Sequence, residues 1–400
     1  MNASTDRTRH DRAATGWGVL ASCFGFVVMG ALQALYGPAI PHLMDRFAIT
    51  PTQAGMGLSA HFIGALVGVL VFHKAYGAFS NRLTLGVSYG LMAIGCLVFA
   101  YAGSWPLALV GAFVIGLGFG GGDFGLNFIF SIGFGPRSVA MVNLLNAHFG
   151  IGAIAGPALI GWFGAEQYPL IFLGFAVCSL LPLLLIGQMT VSVTEPRTSG
   201  GPSEGPLQGA LAVMAAFFVI YIFHVAIETG VGGWEPTHLE AVGYGAAFAA
   251  TATSLYWLAL TGGRFLAAWI GLYWTSERMM TVSCVGMTLS LLAALHPRLA
   301  PLAYIGVGLF IAPIFPTGLA WLTRVVPAAR RGTAYVIAAS MVGGIAFPPL
   351  IGRLIDSHGV QSAPLFMAML SLACTVATWV IVRIQSDRHA SSSSDPAEEL

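Results

Sequence analysis

The sequence predicts an all-α integral membrane protein of twelve transmembrane helices, on three observations. Only 8% of its residues are charged and 56% are hydrophobic, with a mean hydropathy of +0.80. A soluble domain carries about 25% charged residues to cover its surface, so lipid is the solvent that suits this composition. Apolar runs near the ~20 residues that cross ~30 Å of hydrocarbon recur along the whole chain. Finally, 51 glycines supply the small residues that let membrane helices approach closely. A net charge of +1 offers nucleic acid nothing to bind.

The first six spans cover 16–41, 53–77, 84–103, 106–132, 139–162 and 168–190. The polar stretch TEPRTSGGPSEGP at 194–206 then interrupts the pattern. Six more spans follow at 207–233, 246–272, 279–296, 301–326, 333–355 and 363–384. The expected organisation is a tail at 1–15, a six-helix half at 16–190, a linker at 191–206, a second half at 207–384 and a tail at 385–400. The last of these, with SSSS and AEEL, has a disordered composition. The opening apolar run from Trp17 to Ile40 is longer than the apolar core of a cleavable signal.

With the N-terminus inside, the inner segments hold thirteen Lys and Arg residues. The outer ones hold three, Arg46, Arg298 and Arg353. The positive-inside rule then puts both termini in the cytoplasm, and the plasma (inner) membrane is the expected location. Cys23, Cys96, Cys178, Cys284 and Cys374 each lie in an apolar run without metal or redox spacing. No metal or cofactor is expected, and the chain is expected to act as a monomer. HExxH is absent and no carboxylates pair at short spacing within the spans, which argues against an enzyme. The lack of a repeated filter-like segment argues against a channel.

An internal repeat is visible. IAGPALIG at 154–161 and IAFPPLIG at 345–352 agree at six of eight positions, 191 residues apart. Each lies in the fifth span of its half, the pattern of a duplicated six-helix unit that binds substrate between its halves.

Six plus six helices around a central linker resemble the major facilitator superfamily across residues 16–384. The loop GAFSNRLTLG at 77–86 resembles its signature after the second helix. It keeps Gly77 and Arg82, while Asn81 replaces the usual aspartate and the trailing basic pair is missing. Within the superfamily, GDFGLNF at 122–128, NAHFGIGA at 146–153, ETGVGGWEP at 228–236 and APIFPTGLA at 312–320 resemble the fucose–galactose–glucose symporters and their sodium-dependent glucose relatives. That resemblance implies symport of a sugar or similar small polar solute with a cation, proton or sodium. The second carboxylate of the fucose symporters is not matched, because Leu35, Tyr36 and Gly37 stand in its place. GAIAGPALIG at 152–161 also resembles the fifth-helix signature of proton-driven drug antiporters, so efflux of a drug or amphipathic metabolite is the alternative.

Charge within a span is costly and marks function. Three residues stand out: Asp123, Glu228 and Arg264. Counted from the turn between the fourth and fifth spans at 1.5 Å per residue, Asp123 lies level with His148, and Asn127 with Asn143. Arg264 lies at the depth of Asp123 in the eighth span. Asp123, His148 and Arg264 are therefore the expected ion-coupling residues. Glu228 should hold hydroxyl groups and Trp234 stack on a sugar ring, with Tyr256 and Trp257 nearby. Asn127, Asn143, Asn146, Tyr36 and Gln33 complete the expected substrate-binding set. Gly230, Gly232 and Gly233 should loosen the seventh span, where exposed backbone can line a cavity. His61, His73 and His224 are weaker candidates.

Overall fold

The computed structural model describes residues 16–75, 78–185, 210–326 and 333–393. Fourteen α-helices occupy them: α1 (Gly16–Ala34), α2 (Tyr36–Phe47), α3 (Pro51–Ala75), α4 (Asn81–Ala100), α5 (Trp105–Ile132), α6 (Ser138–Phe163) and α7 (Tyr168–Leu180), then α8 (Ala210–Ala241), α9 (Ala246–Ile270), α10 (Ser276–Ala293), α11 (Ala300–Ile311), α12 (Ile314–Val325), α13 (Thr333–His358) and α14 (Ser362–Ser393). They fall on the twelve stretches read from the sequence, two of which are split. Nine segments among the described residues are long and apolar enough to cross a membrane. The remaining three stretches are the helices α9, α10 and α13. The tail at 1–15, the linker at 191–206 and Gly77 lie outside the described residues.

Both splits have the same cause. Proline has no N–H to return to the carbonyl four residues back. Pro38 deprives Ala34, and the first span breaks at Leu35 between α1 and α2. Pro313 and Pro316 deprive Leu309 and Ala312, and the tenth span breaks at 312–313. Two ends also depart from expectation. Helix α14 runs on to Ser393, through the start of the expected disordered tail, and Trp321 Nε1 donates to Gln385 Oε1 at 3.2 Å. Helix α8 continues to Ala241, eight residues past the expected end at 233.

The described chain forms two compact units. One comprises the described residues within 1–198, 232–258 and 348–360; the other comprises those within 199–231, 259–347 and 361–400. In the first unit, α3 and α4 pack on α5, and α1 packs on α6. Glycine makes these approaches possible. A Cβ on Gly30 would collide with the carbonyl oxygen of Phe149, and one on Gly152 with that of Val27. In the second unit α8 and α13 meet the same way, with Gly343 against the carbonyl oxygen of Ile222. The first and fifth helices of each half thus pack through glycine, as a duplicated unit would.

The first unit also contains a seam where the last turns of α8 and the end of α13 meet α2 and α3, while the first turns of α9 meet Gly161 of α6. Gly37 abuts the carbonyl of Gly232, Leu58 abuts Gly233, and Gly55 lies against Pro348 and Pro349. Thr52, on the first turn of α3, donates its backbone N–H to Asp356 Oδ2 at 3.0 Å, and its hydroxyl bonds the same oxygen.

Candidate functional site

The first polar constellation joins α5 and α6. Asn127 sits one turn beyond Asp123 on α5, so its amide reaches back and donates both to the Asp123 carbonyl and to Oδ1, each at 3.0 Å. Asn127 Oδ1 accepts from Asn146 Nδ2 at 3.3 Å, and Asn146 also donates to the Val142 carbonyl at 2.9 Å. All three side chains are half-buried. The result is a carboxylate–amide–amide chain across two helices, offering both donors and acceptors. Asn146 takes the place expected for Asn143, which is exposed. The level at which α6 meets Asn127 thus lies three residues further along α6 than an even count from the turn gives.

His148 is half-buried, and its Nδ1 lies 2.7 Å from the Leu144 carbonyl of its own helix. A carbonyl can only accept, so Nδ1 is the donor of this contact. Tyr36 is buried at the start of α2, its hydroxyl 3.3 Å from His61 Nδ1. Gln33 is half-buried on α1. His73 packs edge-on against Phe124.

The second constellation belongs to the other unit. His224 Nε2 lies 3.3 Å from Glu228 Oε2, one turn along α8, and the charge of Arg264 on α9 also acts on the Glu228 carboxylate. Tyr221, one turn earlier, donates its hydroxyl to the Phe315 carbonyl at 2.8 Å, just past the break between α11 and α12. By apolar run length alone, Glu228 falls near the outer end of the seventh span, well outward of Arg264. That reading takes 233 as the end of the seventh span. Because α8 continues to Ala241, Glu228 sits mid-helix and within electrostatic reach of Arg264. The glycine run does not unwind α8 either, which is one continuous helix. Its glycines serve close packing, Gly232 and Gly233 being the residues that meet Gly37 and Leu58.

Trp234, Tyr256 and Trp257 lie in the first unit and are all buried. The Trp234 indole N–H donates to the Pro348 carbonyl at 3.1 Å. The rings of Tyr256 and Trp257 meet edge-on with centroids 5.2 Å apart. Sequence reasoning missed Glu235, whose side chain is fully buried beside Trp234. The signal was present in ETGVGGWEP, but the seventh span had been ended two residues too early to count it as a charge within the membrane. No group of three or more His, Cys, Asp or Glu that could hold a metal occurs among the described residues.

Comparison with known proteins agrees with this architecture. The chain is 22% identical over 384 residues to the glucose/mannose transporter GlcP of Bacillus subtilis, covering 90% of this chain and 92% of that one. It is 23% identical over 358 residues to sodium-dependent glucose transporter 1 of Xenopus laevis, covering 80% and 72%. Among solved structures, the peptide transporter POT superposes with a TM-score of 0.77 at 14% identity, over 96% of this chain and 99% of that one. A D-xylose–proton symporter superposes with a TM-score of 0.73 at 14% identity, over 91% and 96%. At these identities the solved structures establish the fold alone. The family model of the Major Facilitator Superfamily matches residues 22–334 and 210–399, and the chain belongs to that superfamily.

Proposed function

We propose that the protein is a secondary transporter that accumulates a neutral sugar by symport with a cation, through alternating access. The observation that carries this reading is the Asp123–Asn127–Asn146 chain. An ionisable carboxylate directly bonded to amides couples a cation-binding group to groups suited to sugar hydroxyls. The end-to-end likeness to glucose transporters supports the sugar class. Asp123 is the cation site, with Asn127 and Asn146 on substrate hydroxyls. Glu228, flanked by His224 and Arg264, is the carboxylate of the second unit that binds substrate.

In this reading α9, α10 and α13 also cross the bilayer, both termini are cytoplasmic, and the protein resides in the plasma (inner) membrane. The face bearing the α2–α3 turn is then the outer one. Uptake by purified protein in proteoliposomes, across a panel of sugars with imposed proton or sodium gradients, tests the reading. Accumulation of one sugar under one gradient is expected. Gradient-driven extrusion of amphipathic compounds without sugar uptake would overturn it.

A further inference from the structure

Helices α10 and α14 of the second unit lie side by side, and polar contacts between them fix their relative height. Thr288 Oγ1 bonds Ser371 Oγ at 2.7 Å, and Cys284 Sγ lies 3.6 Å from Thr378 Oγ1. Arg278 stands six residues before Cys284, and Arg383 five after Thr378. The helices run antiparallel, so both arginines lie roughly 8–9 Å beyond the Cys284–Thr378 contact at 1.5 Å per residue. Each is exposed and lies over a tryptophan of the preceding turn. The Arg278 guanidinium is 4.3 Å from the centre of the Trp274 ring, and that of Arg383 is 5.3 Å from the Trp379 ring. A third exposed arginine, Arg324 at the end of α12, donates to Ser276 Oγ in the first turn of α10. Trp321 of α12 donates to Gln385 of α14, so three helices bring three arginines to one level.

Among the described residues none of the three forms an ion pair with a carboxylate, although Glu277 adjoins Arg278 in the chain. Arg278 also sits at the positive end of the α10 dipole, where a cation is disfavoured and an anion favoured. A lone arginine near a helix end simply extends toward the headgroups; three that converge without a counter-ion select an anion. The surroundings define its kind. Along the membrane-facing side, Val282, Val285 and Leu289 of α10 and Val376, Leu372 and Met369 of α14 are all well exposed. These two apolar stripes end at the arginines, and α14 is long and apolar enough to cross a membrane. An anionic head with hydrocarbon tails matches both parts at once.

We propose that Arg278, Arg324 and Arg383 hold the phosphate of an anionic phospholipid, whose acyl chains run along the α10–α14 face. Guanidinium suits the task, because its planar, paired donors match phosphate oxygens. Basic sites between membrane helices on the cytoplasmic side recognise anionic headgroups in this way. Bound there, the lipid braces the inner ends of α10, α12 and α14. The inference goes beyond the transport reading and takes from it only the leaflet, the inner one.

The test uses the full chain, purified in mild detergent and stripped of lipid. It is titrated separately with dioleoyl phosphatidylglycerol, dioleoyl phosphatidylcholine and glycerol 3-phosphate. Retained lipid is counted by native mass spectrometry, and the melting temperature is followed in parallel. Phosphatidylglycerol should be retained several-fold more than phosphatidylcholine and should raise the melting temperature, while glycerol 3-phosphate does neither. Combining Arg278→Gln with Arg383→Gln should abolish the preference. Arg298→Gln with Arg353→Gln, at two exposed arginines elsewhere, should keep it. Equal retention of the two lipids by the parent, or an unchanged preference in the Arg278/Arg383 variant, overturns the site. An equal response to glycerol 3-phosphate overturns it too, since a soluble phosphate would then suffice. If the glutamine variant fails to reach the membrane, Arg278→Lys with Arg383→Lys replaces it. Lysine keeps the charge and loses the paired donors, so the preference should fall several-fold, and no fall is equally fatal. Labelling of Tyr273→Cys from the outside of oriented vesicles would count against the orientation in the transport reading and leave the lipid site standing.

Discussion

Gly37 faces the carbonyl oxygen of Gly232, the oxygen that Pro236 leaves without its helical donor. Pro236 lies four residues beyond Gly232 in α8, so the rung that would occupy this carbonyl is missing. A bare Cα on α2 can then approach it closely, a contact of the Cα–H···O kind. One proline and two glycines, far apart in sequence, together make a dry backbone-to-backbone junction.

A methyl group at Gly37 should therefore disturb the junction directly, since its Cβ would strike backbone that cannot rotate away. Gly37→Ala should cost about 1–3 kcal/mol, the range for overpacking, lower the melting temperature and slow transport. Gly90→Ala on α4 is the control, because nothing lies within 4 Å of its would-be Cβ. It should be neutral or slightly stabilising, as removing a helical glycine in open space is. Equal effects of the two changes would show that the junction has no special constraint.

Asp123 and Asn127 carry the coupling prediction. Asp123→Asn removes the ionisable group but preserves size, so gradient-driven accumulation should be lost while counterflow exchange partly survives. Asn127→Leu deprives Asp123 of its amide donor and Asn146 of its acceptor. It should raise the KM for sugar and weaken accumulation without abolishing insertion. Full accumulation in Asp123→Asn would remove this residue from the mechanism.

Much of this was legible in the sequence, and for identifiable reasons. The spans, their order and the duplication follow from apolar run length and from Pro/Gly motifs, which are local properties. Asp123 and Glu228 stand out because charge is rare in lipid. What was hidden depends on helix ends and packing register. Pro236 reads as a terminator, yet α8 passes through it to Ala241, because the carbonyl it frees is covered by Gly37. That single extension concealed Glu235 and misplaced Glu228 relative to Arg264. Likewise, a count of 1.5 Å per residue from the α5–α6 turn sets Asn143 level with Asn127, whereas the bond is made by Asn146, because packing register between helices is not a local property of the sequence.

Arg264 should be coupled to Glu228. An arginine keeps its charge at any accessible pH, and within the second unit its field falls on the Glu228 carboxylate. A double-mutant cycle with Glu228→Gln and Arg264→Gln, read by thermal stability, should give a coupling energy of about 0.5–3 kcal/mol. Each single change should also weaken sugar binding more than the pair does, since the pair leaves no unmatched charge. Strict additivity would mean that Arg264 serves another group.

The Thr52–Asp356 contact predicts how the seam is latched. The first turn of any helix leaves backbone N–H groups without intrahelical partners, and here the carboxylate that satisfies one of them comes from the far end of α13, 304 residues away. A cap supplied by a separate helix exists only while the two helices meet, so it stabilises the closed seam and nothing else. Asp356→Ala should therefore shift the seam toward the open form, with an effect of roughly 0.5–2 kcal/mol, the range for losing a helix cap. The bond is exposed, which favours the lower part of that range. The expected readout is faster labelling of Leu58→Cys, a buried position in the seam, by a membrane-impermeant maleimide, with Asp356→Asn falling between Asp356→Ala and the parent because an amide oxygen still accepts. Thr52→Ala keeps the backbone N–H and loses only the hydroxyl contact, so it should have a smaller effect than Asp356→Ala. Labelling that is indifferent to Asp356→Ala would mean that the glycine and proline contacts alone hold the seam shut.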